Sequence, residues 1–291
     1  MDIAYFPGCT LRASSKLYDV QSNMILNELG IQLMELDDWN CCGATSASKT
    51  DDFLAIAMPA RNLGIADVMG LSQLVIPCSA CYSRMMVAQK RLEADENLKE
   101  EINGGLKNKV TGETQIVSIV EVLASLVGTP KWKKKTHKYI KPLKPVCYYG
   151  CMQTRFPIDV DVPDNVENPQ GMETILSALG ARPLDWSHKT DCCGASASVN
   201  DPDLALALMA KIMKDAIARE ADCFVTSCPM CQLNLDAYQS QINTALGTDY
   251  YLPVVYFTDL MGWAFGLDES EQWFSQKFVD PTPLFNKCVT A

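Results

Sequence analysis

A five-cysteine pattern occurs twice in this chain and dominates its sequence. The first copy has the spacing C-x31-CCG-x34-C-x2-C and the second has C-x40-CCG-x33-C-x2-C. The first copy comprises Cys9, Cys41, Cys42, Cys78 and Cys81. The second comprises Cys151, Cys192, Cys193, Cys228 and Cys231. Because chance duplication of so long a pattern is negligible, we expect two halves built on one plan.

The stretch between the two copies predicts where the halves divide. Residues 129–145 are rich in lysine and proline and show neither a helical nor a strand period. We therefore place a first domain at residues 1–135 and a second at residues 145–291, joined by a linker. A chain of 291 residues with 48 % hydrophobic content is long enough for both.

Within each half, strand-like runs alternate with helical segments, which predicts an α/β fold. The strand-like runs are residues 3–6, 74–76, 146–149 and 223–226. We expect Gly30 and Gly180 to end helices, and Pro59 to kink or end one. We expect Asp51 or Asp52, and Asn200 or Asp201, to start the helices that follow each CCG. Each half should be a small, mostly parallel sheet with flanking helices, and most cysteines should lie on loops at the carboxyl ends of strands.

The composition of the cysteine sets favours an iron–sulfur centre in each half. Gly8, Gly43, Gly150 and Gly194 beside the cysteines let the backbone approach a bulky inorganic centre. A structural zinc ion takes four ligands, whereas adjacent cysteines diverge and reach two metal atoms more easily than one. Zinc in at least one half stays an alternative. A thioredoxin-like dithiol is disfavoured because a CCG accompanies each C-x2-C.

Three cysteines fall outside the repeat: Cys147, Cys223 and Cys288. We interpret them as small buried residues, since free cysteine is common in protein cores. Cys147 is the main rival of Cys151 as a ligand. We prefer Cys151 because Gly150-Cys151 aligns with Gly8-Cys9.

Through these cysteines and their spacing, the chain resembles the CCG-domain family and, within it, the B subunits of heterodisulfide reductase. The similarity extends over nearly all 291 residues. The chain has no ferredoxin-type C-x2-C-x2-C-x3-C-P run, which fits a separate catalytic B subunit.

The resemblance implies two noncubane [4Fe-4S] clusters, one held by the five cysteines of each copy. It also implies reduction of the coenzyme M–coenzyme B heterodisulfide to two thiols, each cluster taking one sulfur of a substrate bound between the halves. The implied partners are the ferredoxin-like C subunit, the flavin-containing A subunit, and further upstream a hydrogenase or formate dehydrogenase. No Rossmann glycine fingerprint supports flavin or NAD on this chain.

The charge distribution argues against nucleic-acid binding. The net charge is −10, and only residues 101–145 are basic, with nine lysines against three acidic residues. No stretch approaches the ~20 apolar residues of a membrane span, and no signal peptide is recognisable, so we expect a cytoplasmic protein without a membrane partner.

The basic band and one histidine are weaker candidates for substrate contact. The band comprises Lys131, Lys133, Lys134, Lys135, Lys138, Lys141 and Lys144. It is either an anion-attracting rim for the small anionic disulfide or a solvated linker or docking surface. His188, four residues before Cys192, is a candidate proton donor or an ordinary loop histidine, and His137 is a weaker candidate.

Other functions stay open. The chain is alternatively a CCG-type electron-transfer subunit that passes electrons from a dehydrogenase to a quinone, or a related reductase that acts on a different disulfide. A zinc-stabilised binding module is disfavoured by five cysteines per repeat.

Overall fold

The structure is a computed structural model that describes residues 1–44 and 46–287. It divides into two compact units. The first comprises Met1–Val122 and Arg155–Pro163, and the second comprises Leu123–Thr154 and Asp164–Ala291. Cys288 lies outside the described residues.

The first unit contains a parallel sheet with helices around it. In chain order its elements are β1 (Asp2–Tyr5), α1 (Gly8–Arg12), α2 (Lys16–Glu28), β2 (Gln32–Glu35), α3 (Ala47–Thr50), α4 (Asp52–Met69), β3 (Gln73–Ile76), α5 (Ser79–Ala94), α6 (Glu96–Gly105), β4 (Gln115–Ser118) and α7 (Ile119–Ser125), which crosses the boundary between the units. The strand order is β2-β1-β3-β4, and all neighbours pair in parallel.

The second unit repeats this plan with a parallel three-stranded sheet. Its elements are α8 (Pro130–Lys135), β5 (Pro145–Tyr148), α9 (Gly171–Ala178), α10 (Pro202–Ala218), β6 (Cys223–Thr226), α11 (Pro229–Ala237), α12 (Gln239–Leu246), β7 (Val254–Tyr256), α13 (Phe257–Ala264), α14 (Ser270–Phe274) and α15 (Thr282–Lys287). The strand order is β5-β6-β7. The predicted α/β class, with two halves each built on a parallel sheet, is therefore confirmed.

Helix ends follow the predicted capping residues closely. The Asp51 carboxylate accepts a hydrogen bond from the Leu54 amide (2.8 Å) at the start of α4, and Asp201 caps α10 in the same way. Gly30 and Gly180 follow α2 and α9 with φ of 79° and 91°, a region in which side chains are strained. Pro59 lies inside α4 and does not end it.

The lysine-rich stretch is more ordered than its sequence predicts. Residues 130–135 form α8, which begins where the Thr129 hydroxyl accepts a hydrogen bond from the Trp132 amide (3.3 Å). Trp132 is buried edge-to-face against Phe265, with ring centroids 5.5 Å apart. Residues 123–135, which we assigned to the first half, therefore lie in the second unit. The sequence pattern did not predict α8, because a six-residue helix with one buried apolar side chain shows no helical hydrophobic period.

Asp67, in the last turn of α4, fixes the loop that precedes β4. Its carboxylate accepts hydrogen bonds from the amides of Thr111 (2.8 Å), Gly112 (3.0 Å) and Thr114 (3.0 Å). Burial raises the pKa of Asp67, but these hydrogen bonds lower it by more, so its pKa lies below the usual value. The stabilisation is thus fully present above the unfolded-state pKa of about 3.9 and is lost as the pH falls through the lower folded-state pKa.

We expect Asp67→Asn to lower the free energy of unfolding at pH 7 by about 1–3 kcal/mol, because one amide oxygen replaces a charged acceptor of three amides. The deficit should begin to shrink below about pH 3.9, where the carboxylate of the unfolded chain is protonated, and vanish at a lower pH, where the folded-state carboxylate is protonated too. Urea denaturation at pH 7 and at about pH 3.5 measures both effects, with the exposed Asp249→Asn as the control. Equal stability of Asp67→Asn and the wild type at pH 7 would contradict the prediction.

Candidate metal centres

Parallel pairing brings the cysteines of the first copy to one edge of the first sheet. Cys9 lies in α1, directly after β1, and Cys78 is the N-cap of α5, directly after β3. Since β1 and β3 are parallel neighbours, their carboxyl ends lie side by side. Cys81 lies in the first turn of α5, and its Sγ is 3.1 Å from Cys42 Sγ on the CCG loop.

The thiols of this first set are electrostatically coupled. Hydrogen bonds from Cys41 and Cys81, together with the Ala44 amide and the charge of Arg84, lower the pKa of Cys42 to about 4 against the opposing effect of burial. The same hydrogen bonds raise the pKa of Cys41 and of Cys81. The set therefore already stabilises thiolate, the form that binds metals.

The second set repeats this geometry. Cys228 is the N-cap of α11, and Cys231 Sγ lies 3.6 Å from Cys193 Sγ. A hydrogen bond from Cys151, helped by the Gly194 amide, lowers the pKa of Cys192 to about 6. The Gly194 N–H to Cys192 Sγ distance of 3.3 Å matches the 3.4 Å between the Gly43 N–H and Cys41 Sγ in the first unit.

In each unit, the turn that contains Gly8 or Gly150, here called the glycine turn, lies directly against a thiol. A Cβ atom on Gly8 would lie 2.9 Å from Cys81 Sγ, and one on Gly150 would lie 2.8 Å from Cys231 Sγ. Both glycines have positive φ, at 71° and 68°. The close backbone approach expected at these two positions is therefore present, and it requires the absence of a side chain.

Two cysteines outside the repeat, Cys147 and Cys223, lie within strands rather than in the turns and loops that carry the repeat. Cys147 and Cys223 are completely buried strand residues, as predicted. Burial raises the pKa of Cys147, with a further contribution from the Glu173 carboxylate. Cys151, by contrast, follows Gly150 in the turn and is hydrogen-bonded to Cys192. The structure thus gives Cys151, and not Cys147, the place equivalent to Cys9.

His188 is held beside the second set by a carboxylate. Its Nδ1 lies 2.7 Å from Asp191 Oδ2, and Asp191 directly precedes Cys192. Burial raises the pKa of Asp191, but His188 and Lys211 lower it by more, so the carboxylate is ionised at neutral pH. The contact with the Asp191 carboxylate fixes the orientation of the imidazole ring.

The lysines of the basic band lie in the second unit, along α8 and the segment that follows it. Lys131, Lys133 and Lys134 are exposed, whereas Lys138 and Lys141 lie over the rings of Trp263 and Tyr139. Their proposed contact with an anion stays a prediction.

In residues 1–44 and 46–287, no group of three or more His, Cys, Asp or Glu side chains has the geometry of a metal-ion site. The thiols instead contact one another directly, as Cys42 does with both Cys41 and Cys81. None of the twelve cysteines in this described part forms a disulfide. The residues thus supply donors for a thiolate-bound centre, without a preformed site for one ion.

The sequence comparisons agree with this arrangement. The model of the CCG cysteine-rich domain family matches the chain twice, at residues 3–86 and 146–236. The two matches together cover more than half of the chain and coincide with the two thiol sets. The chain belongs to the CCG cysteine-rich-domain family.

Two relatives are similar to this CCG chain over nearly its whole length. The 8-methylmenaquinol:fumarate reductase membrane anchor subunit of Wolinella succinogenes is 32 % identical over 97 % of this chain and 99 % of its own. The B subunit of the ferredoxin:CoB-CoM heterodisulfide reductase of Methanosarcina mazei is 28 % identical over 95 % of this chain and 93 % of its own. The expected resemblance to B subunits of heterodisulfide reductase is therefore confirmed.

A solved structure supports the fold alone. A hypothetical protein from Helicobacter pylori superposes with a TM-score of 0.77 over 96 % of this chain, at 12 % identity. This chain spans about half of that protein, 52 % of its length.

Among the helices of the described residues, none has the length and apolar character needed to cross a membrane.

Two residues that contact the CCG loops were not identified from sequence. Arg84 and Asn234 each lie three residues after the last cysteine of a set, one helical turn along α5 and α11. Their position on a helix that begins with C-x2-C is the signal that identifies them, because residues i and i+3 share a helix face.

The glycine turns give a sharp test of the second set. We expect Gly150→Ala to displace Cys231 Sγ and to reduce the metal bound by the second unit. Gly247→Ala is the matched control, because Gly247 has a similar φ of 64° but nothing lies within 4 Å of its added Cβ. Both variants should lose about 1–2 kcal/mol of stability from the strained φ. Metal content per chain distinguishes the two variants, because only Gly150→Ala should bind less metal. Equal metal content in Gly150→Ala and Gly247→Ala would contradict a role for the Gly150 turn in metal binding.

Proposed function

We propose that each thiol set holds one noncubane [4Fe-4S] cluster and that the chain is the disulfide-reducing subunit of a multisubunit oxidoreductase. The observation that carries this proposal is the repeated geometry. In both units a glycine turn, a CCG loop and a C-x2-C helix lie close together, and a CCG thiol contacts a C-x2-C thiol. The family membership and the similarity to heterodisulfide reductase B subunits support a redox role.

The donor set fits an iron–sulfur centre better than zinc. Each unit supplies five thiols, one more than the four ligands of a structural zinc. The first set comprises Cys9, Cys41, Cys42, Cys78 and Cys81. The second comprises Cys151, Cys192, Cys193, Cys228 and Cys231. A glycine cradle that excludes even one methyl group beside Cys81 and Cys231 suits a bulky centre.

When bound, the clusters would supply one-electron transfers to the two sulfurs of a disulfide. Two electrons and two protons convert the S–S bond into two thiols, and the electrons come from a partner protein. The chain's own residues hold the cysteine sulfurs in a largely apolar layer, where Cys228 and Cys231 pack with Tyr148. His188, oriented by Asp191, is the proposed proton donor to a departing thiolate at the second set.

The proposed partners follow from the source of the electrons. The ferredoxin-like C subunit together with the flavin-containing A subunit would deliver them, with a hydrogenase or formate dehydrogenase upstream. The proposed substrate is a small anionic disulfide such as the coenzyme M–coenzyme B heterodisulfide. The numerous free thiols are consistent with a reducing compartment, so we propose a cytoplasmic location.

A second function is favoured by one comparison. The Wolinella succinogenes relative, at 32 % identity, is a subunit of an enzyme that uses a menaquinol. In that alternative the same two centres pass electrons between a quinol and a partner dehydrogenase, and no disulfide is cleaved.

The cofactor assignment is tested by metal analysis of anaerobically purified protein. We expect about eight irons with matching sulfide and no zinc per chain. Cys81→Ala should lose about half of the iron, because it removes one ligand of the first set only. Cys147→Ala is the matched control, as Cys147 is a buried cysteine outside both sets. Full iron content in Cys81→Ala, or one zinc per chain in the wild type, would refute the assignment.

The two functions are separated by their electron acceptors. With reduced viologen as donor, disulfide-dependent oxidation is expected for the coenzyme M–coenzyme B heterodisulfide, and Cys81→Ala should reduce it at least about 100-fold. Oxidation that depends on a menaquinone analogue, with none on the disulfide, would instead support the quinol-linked function.

A further inference from the structure

The two thiol sets differ in the residue that follows each C-x2-C by one helical turn. This position is Arg84 on α5 in the first unit and Asn234 on α11 in the second. Both helices begin at the thiols, and both side chains reach the CCG loop of their own unit. The two units thus place a cation and a neutral amide at equivalent positions.

Arg84 reaches the CCG loop of the first unit with its guanidinium. Its Nη2 donates a hydrogen bond to the carbonyl of Ala44 (3.4 Å), the residue directly after Cys41-Cys42-Gly43. Its positive charge acts on the Cys42 thiol. The cation is therefore close enough to the first set to change its electrostatic potential.

Asn234 makes the corresponding contact in the second unit without a charge. Its Nδ2 donates a hydrogen bond to the carbonyl of Cys193 (2.8 Å), and its Oδ1 accepts one from the Ser198 hydroxyl (2.8 Å). The Asn234 amide thus links α11 to the CCG loop by a hydrogen bond, as the Arg84 guanidinium links α5 to its loop.

Each CCG loop also has a lysine or arginine nearby that forms an ion pair. Arg61 forms an ion pair with Asp38 in the first unit, and Lys211 lies 3.5 Å from Asp191 in the second. Arg61 and Lys211 hold equivalent places, each ten residues after the N-cap of α4 or α10. Arg84 against Asn234 is therefore a charge difference at the position from which each C-x2-C helix contacts its CCG loop.

We propose that Arg84 gives the centre of the first unit a higher reduction potential than that of the second, so that the first electron from the iron–sulfur partner resides in the first unit. This inference rests on the proposed function for the presence of the two centres. The partner loses one electron and the first centre gains it, and a second transfer reduces the second centre.

The physical reason is the charge added by reduction. Each electron makes a thiolate-bound centre more negative, and a nearby cation stabilises that state more than the oxidised one. A neutral amide provides no such differential stabilisation. The effect is large where the surroundings are apolar, because the local dielectric is low.

A redox titration followed by electron paramagnetic resonance of the intact, iron-loaded protein tests the proposal. We expect Arg84→Gln to lower the potential of the first centre alone. At a fixed potential, the ratio of reduced to oxidised first centre should fall about tenfold, equivalent to about 59 mV for a one-electron couple. The first centre is identified as the signal that Cys81→Ala removes.

Matched variants separate this effect from a general loss of charge. Arg84→Lys keeps the cation and should retain most of the wild-type potential. Arg91→Gln removes an exposed arginine two turns further along α5, and both potentials should stay unchanged. Equal shifts of both centres in Arg84→Gln, no shift at all, or an equal shift in Arg91→Gln would overturn the proposal.

Adding a positive charge to the second unit tests the proposal independently of Arg84. Asn234→Arg should raise the potential of the second centre and narrow the gap between the two. If Arg84→Gln loses iron, Asn234→Arg decides the outcome. An unchanged or lower reduction potential of the second centre in that variant then overturns the proposal. Fewer than two iron–sulfur centres in the wild type would instead refute the proposed function, and the iron analysis shows that before any titration.

Discussion

The parallel sheet is the constraint on which both thiol sets depend. Parallel neighbours end at the same edge, so the turn after β1 lies beside the start of α5, and the turn after β5 lies beside the start of α11. Cysteines far apart in sequence therefore meet without any long-range covalent link. The glycine turns then press the backbone onto Cys81 and Cys231, which is possible only at positive φ and without a Cβ.

Contact between thiols at this edge has an electrostatic consequence. Thiols that are close together and partly buried cannot all ionise at their ordinary pKa, so hydrogen bonds divide them into thiolate-like and thiol-like members. The pKa is lowered for Cys42, Cys78 and Cys192, and in each case the main cause is a hydrogen bond from a neighbouring cysteine. Binding of a metal centre would release the remaining protons and replace this network with metal–thiolate bonds.

Duplication kept the thiol geometry and changed its surroundings. The distances from CCG amide to thiol, 3.4 Å and 3.3 Å, are nearly equal in the two units. The second unit, however, has His188 beside its CCG loop and Asn234 in place of Arg84. The two thiol sets thus have similar geometry but differ in the charged and polar groups beside them.

The sequence by itself determined the duplication, the ten cysteines, the glycines beside them and the α/β class, because spacing and periodicity encode these directly. It also located the caps Asp51 and Asp201, since capping depends on local residues. Only the tertiary structure shows that residues 123–135 belong to the second unit, where Trp132 packs against Phe265. It also shows that Arg84 and Asn234 reach the CCG loops. These contacts join segments tens of residues apart, and neither a single buried ring nor a single arginine produces a periodic signal.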